Sequence, residues 1–162
     1  MEPDAAPSFT LETIDCYLEA EEYSVWKSSW NSRLVFYTYG PKTDRVVRAT
    51  FSVQGKADDV FVLRMVADRR VDPPQFELAW RLCSEHASEY RYPRAFLEIP
   101  PKPENWEDNP EAGAWNPSGL LVLDYHLPLK EGITQAAFNA LCNDVISASW
   151  GFWRMAHERY GL

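Results

Sequence analysis

The sequence predicts an α+β domain, helices packed on a five-stranded antiparallel sheet, in the order α-β-β-β-α-β-β-α. Three observations carry that reading. Alternating apolar runs such as Val46–Val53 and Val60–Ala67 are separated by short turn clusters, so successive strands pair antiparallel. Two segments, near residues 10–21 and 72–90, repeat their apolar residues at helical spacing. The chain then closes on an apolar strand, Gly119–Leu127, a turn, Pro128–Gly132, and a helix from about Thr134 to about Tyr160, roughly 40 Å long at 1.5 Å per residue.

Length and composition bound the problem first. A chain of 162 residues, 46% hydrophobic and 14% aromatic, is one domain with a core of its own and is not a disordered chain. No run of about 18 apolar residues is present, and the acidic start is unlike a signal peptide, so a cytoplasmic protein is expected. Cys16, Cys83 and Cys142 are isolated on apolar helical faces, which predicts buried thiols in a reducing compartment. The net charge of −8 argues against direct nucleic-acid binding. Glu2, Asp4, Glu12, Asp15, Glu19, Glu21 and Glu22 all precede the first base, Lys27, and form an acidic arm able to face a basic partner.

Residues 1–9, with Pro3 and Pro7, read as a flexible tail ahead of a single domain over 10–162. Thr10 opens the first helix, whose buried stripe is Leu11, Ile14, Tyr17 and Leu18. Residues 23–32 are a connector or a short edge strand. Arg33–Tyr39, Val46–Val53 and Val60–Ala67 are the first three strands, in a meander. Asp72-Pro73-Pro74 starts the second helix, since proline is tolerated in a first turn, and Pro93 ends it. Arg94–Ile99 is the fourth strand. Pro100–Ser118 is a long acidic stretch with five prolines plus Trp106 and Trp115; loops of that length are often functional. In the closing helix, Phe138, Leu141, Cys142, Val145, Ser149, Phe152 and Ala156 form one stripe, with a second row at Ile146, Trp150, Trp153 and His157.

That second row, and strands apolar on both sides, predict more apolar surface than one copy can bury. The expected partner-binding or dimer residues are Val35, Tyr37, Tyr39, Val62, Trp80, Trp106, Trp115, Leu121, Leu123, Tyr125, Trp150 and Trp153. Catalytic chemistry is sparse. Cys83 and His86 are two ligand types on one helix with no second pair to complete a metal site. Asp124 and His126 share a strand face, as in a carboxylate-held general base, but no nucleophile elbow accompanies them. Asp68-Arg69-Arg70 is a basic turn able to grip an acidic segment, and the glycines form no phosphate loop.

The closing segment, Gly119-Leu-Leu-Val-Leu-Asp-Tyr-His-Leu-Pro-Leu-Lys-Glu-Gly-Ile-Thr-Gln-Ala-Ala-Phe138, resembles the end of bacterial YbjN-like proteins. The element order is similar to that of class I type III secretion chaperones. That resemblance implies a homodimer without catalytic residues, whose apolar patches hold a segment of a partner; the residues themselves lead to no expected metal or cofactor. The expected function is therefore a chaperone-like, non-enzymatic binding domain. Its expected client is an apolar segment, with a basic client such as a nucleic-acid-binding protein suiting the chain's charge, and its dimer is expected to form through the second helix and neighbouring strands. Two alternatives stand beside it: a small-molecule sensor or enzyme with a pocket between sheet and last helix, using Asp124, His126 or Cys83, and an immunity-type inhibitor of one folded target.

Overall fold

Alternation in the strands and helical spacing elsewhere produce ten elements in the computed structural model, which describes residues 6–39, 45–102 and 117–162, without the side chains of Ser28 and Tyr39. Helix α1 spans Leu11–Ala20. Strands β1 (Val25–Ser29), β2 (Ser32–Tyr39), β3 (Arg45–Gln54) and β4 (Val60–Val71) follow. A 3-10 turn at Pro73–Gln75 leads into α2 (Phe76–Glu89). Then come β5 (Arg94–Glu98), β6 (Gly119–Pro128) and α3 (Gln135–Glu158). The sheet has six strands, not five, because the segment after α1 pairs with β2 and becomes an edge strand. Its order is β1-β2-β3-β4-β6-β5, and every neighbouring pair is antiparallel.

The ends of the helices follow their sequence signals. The Thr134 hydroxyl accepts a hydrogen bond from the Ala137 amide at 3.2 Å, satisfying one of the free donors of the first turn of α3. Asp72 precedes the prolines that start the 3-10 turn, and α2 stops where Tyr90 turns extended. Gly55 in the β3–β4 turn has φ +93°, a conformation glycine adopts without strain.

All three helices lie on one side of the sheet. Register sets which strand residues face them: Val35 pairs with Ala49, Tyr37 with Val47, Phe51 with Leu63, and Met65 with Leu123. These residues, with Ile14, Tyr17 and Leu18 of α1, Leu82 and Cys83 of α2, and Phe138, Cys142, Val145, Phe152 and Trp153 of α3, form one core. Its centre is a ring cluster in which Phe138 meets Phe61 at 4.9 Å, Tyr17 at 6.1 Å and Phe9 at 5.6 Å. Fully burying one such side chain is worth about 1.5–3 kcal/mol. The second row of α3 is also absorbed here. Ile146 and Trp153 are buried and Trp150 is half-buried against Tyr37, with ring centroids 5.7 Å apart. A helix that touches the sheet, α1 and α2 together can bury more than one stripe, so the second row needs no outside partner.

Two local expectations change. Phe9, placed in the tail by the sequence, is buried on Phe61 and Phe138, and the Pro7 carbonyl accepts from the Ile133 amide at 2.9 Å. Gly132 makes that approach possible: at φ +79° it has no Cβ, and one would collide with the Pro7 carbonyl. Cys16 is exposed, whereas Cys83 and Cys142 are buried. The helix layer is tied to β2 by Arg33, whose buried guanidinium holds Asp15 of α1 bidentately at 2.6 and 2.7 Å and donates to the Ser32 carbonyl.

Candidate functional site

Because strand side chains alternate, the residues that do not face the helices line a second sheet face. Its rows can be read from the register. One row runs Trp26, Leu34, Thr50, Arg64, Asp124, Arg94, and the next runs Phe36, Arg48, Val66, Val122, Phe96. None of these residues belongs to the helix-side core. Trp26 is 65% exposed and Phe36 50% exposed, and both lie toward the β1 edge. Val62, Val66 and Val122 are buried.

The charges on this face are organised around Arg64. Its guanidinium is 2.7 Å from Glu98 and 3.8 Å from Asp124, and Asp124 is 3.0 Å from His126 Nε2. Arg64 and Arg94 also lie over the Phe96 ring, at 5.7 and 5.8 Å from its centroid. Beside this ladder is a shallow groove of about 260 Å³ lined by Phe36, Val46, Arg48, Val66, Asp68, Arg70 and Leu120, among others. Chemically, the face offers flat apolar surface, exposed rings and guanidinium groups.

The sequence-predicted residues divide between the two faces. Val35, Tyr37, Leu121, Leu123 and Trp153 are buried in the helix-side core, and Tyr125 and Trp150 are packed partly against it. They are therefore not surface contacts of a single copy. The reason is register: Val35 and Tyr37 of β2 and Leu123 of β6 pair with the core-side residues Ala49, Val47 and Met65, whereas the alternate apolar residues Leu34, Phe36 and Val122 go to the outer side. Val62 does lie on the second face, buried. Trp80 is 55% exposed on α2, tilted against Phe76 with ring centroids 5.9 Å apart, and Leu78 of the same helix is also exposed. Trp106, Trp115 and the Tyr39 side chain lie outside the described residues.

The chemical candidates separate as well. Asp124 and His126 lie on the outer face, Cys83 and α3 on the inner one, so they cannot line one pocket between sheet and helix. Burial pushes the Cys83 thiol up to about 11, far from a reactive thiolate. His86 is fully buried, stacked on Tyr90 at 5.0 Å and edge-on to Phe152 at 5.1 Å. Its Nε2–H donates to the Pro93 carbonyl at 2.9 Å, which ties the end of α2 to the start of β5. It is a packing residue. Among the described residues no cluster of three His, Cys, Asp or Glu could hold a metal, and no helix is long and apolar enough to cross a membrane.

The rings missed from sequence, Trp26 and Phe36, had a usable signal. Strand β3 is polar on one side, at Arg48, Thr50 and Ser52, which marks that side as outer. Carrying that parity across the hairpins assigns Phe36 and Trp26 to it.

Burial lowers the pKa of His86, against smaller opposing effects of its bond to Pro93 and of Glu89. Above the unfolded-state value both states hold a neutral ring and stability is flat. As pH falls from about 6.5 toward the lower folded-state value, only the unfolded chain takes the proton, and stability drops by up to about 1.4 kcal/mol per pH unit. Urea midpoints of the wild type should fall through that window, and those of His86→Gln should fall less; equal slopes would contradict this.

No protein-family model matches the sequence, and no curated protein matches it. Among solved structures, the crystal structure of YbjN from E. coli, a candidate transcription regulator, superposes with a TM-score of 0.64 over 92% of this chain and 92% of that one, at 19% sequence identity. The likeness is one of architecture, so the antiparallel sheet with three helices on one side is the YbjN fold.

Proposed function

We propose that this chain is a non-enzymatic, chaperone-like protein-binding domain that holds an apolar segment of a partner across the open face of its sheet. The observation that supports it is the exposure of Trp26 and Phe36 on a sheet face that none of the three helices covers. Such rings, once seated in a partner, each return about 1.5–3 kcal/mol of burial, and tryptophan is enriched among residues that dominate interfaces. The working form is a homodimer through α2, where Trp80 and Leu78 are exposed. The acidic residues Glu12, Glu19, Glu21 and Glu22 lie on or just after α1, on the helix side, and favour partners that carry a basic region there.

Two measurements test this reading. Light scattering at micromolar concentration should give twice the 18.7 kDa chain mass, and Trp80→Ser should lower it toward one chain; a monomeric wild type would sink the dimer. Separately, the wild type should suppress aggregation of a heat-denatured test protein. The double variant Trp26→Ser, Phe36→Ser should lose most of that suppression while its unfolding free energy in urea stays within about 1 kcal/mol of wild type. Undiminished suppression would place the binding surface elsewhere.

A further inference from the structure

The groove beside the Arg64 ladder has a charge opposite to that of the whole chain. The net charge is −8, yet the charged groups lining this groove are Arg48, Arg70 and the single acid Asp68. Both arginines are exposed. Arg48 sits between Phe36 and Val66 in its row, and Arg70 opposite Leu120. Among the described residues, Arg70 reaches only the Ser118 hydroxyl, at 3.4 Å, and Arg48 makes no ion pair. The neighbouring Arg64, by contrast, is already balanced by Glu98 and Asp124. A guanidinium that is flanked by apolar surface and lacks a carboxylate is poised to take one, and Arg pairs with carboxylates bidentately.

We propose that this groove binds an extended acidic–apolar peptide segment. An apolar side chain of the segment packs on Phe36, Val66 and Leu120, while flanking carboxylates pair with Arg48 and Arg70. The inference rests on the open sheet face being a protein-binding surface, and it assigns the charge of the segment held there. It also separates two specificities: acidic segments at the sheet, basic regions at α1. Nucleic acid is disfavoured as occupant, because two arginines beside an aspartate on an anionic chain supply too few phosphate contacts.

The test is fluorescence anisotropy with labelled peptides of alternating Glu and Leu, alternating Gln and Leu, and alternating Lys and Leu. The Glu peptide should bind the wild type at least about tenfold more tightly than the Gln peptide, and the Lys peptide most weakly. Arg48→Gln with Arg70→Gln should abolish the difference between Glu and Gln peptides, and added salt should weaken the Glu peptide selectively. If Glu and Gln peptides bind equally and Phe36→Ser weakens both, the open face binds chain segments but the acidic preference is wrong. If no peptide binds, both readings fail. Binding that appears only when Glu104, Glu107, Asp108 and Glu111 are changed to Gln would overturn the proposal in favour of the chain's own segment as occupant. Displacement of the Glu peptide by a single-stranded DNA oligonucleotide would overturn it in favour of nucleic acid.

Discussion

Everything in this structure follows from three helices sharing one side of a six-stranded sheet. A strand sends alternate side chains to opposite faces, so any residue buried under α1, α2 or α3 has neighbours that must go the other way. The inner side is resolved by packing: Phe138, Phe61, Tyr17 and Phe9 form an aromatic centre, and α3 fills the space between α1 and α2 on its flanks. Among the described residues no helix rests on the outer side. It pairs Arg64 with Glu98 and Asp124, leaves Arg48 and Arg70 outside that ladder, and leaves Trp26 and Phe36 in water.

Much of the fold was legible because local and long-range signals agreed. Thr134 and the glycines at turns mark boundaries by geometry that few residues provide, and alternation in β3 and β4 sets their faces. The elements that were harder to read depend on pairing. Val25–Ser29 turns polar after Trp26, so in sequence it reads equally as connector or edge strand; bonding to β2 makes it a strand. Phe9 stands among prolines and small residues and looks like tail, yet the gap left by Gly132 draws the segment onto the core.

That both sheet faces are apolar was legible in the sequence, and which of the apolar residues stay exposed was not. That both faces of the sheet carry apolar residues is written in β2, where Leu34 and Phe36 alternate with Val35 and Tyr37. Which set faces water is not written there, because both sets are apolar. It is decided by β3, whose polar set pairs with Leu34 and Phe36. The two-striped appearance of α3 misled for a related reason. A helix with neighbours on three sides buries two rows, and a one-dimensional pattern cannot distinguish a second helix from a second molecule.

A binding domain of this kind works by offering surface, so its function depends on keeping Trp26 and Phe36 exposed until a partner arrives. Burying them internally would stabilise the monomer and remove the site, a conflict that a stability threshold rather than a maximum permits. The most direct measurement is photo-crosslinking in native cell extract, with a benzophenone amino acid placed either at Phe36 on the open face or at exposed Arg154 on α3. The account predicts protein adducts from position 36 and few from position 154. Adducts from position 154 with none from position 36 would contradict it.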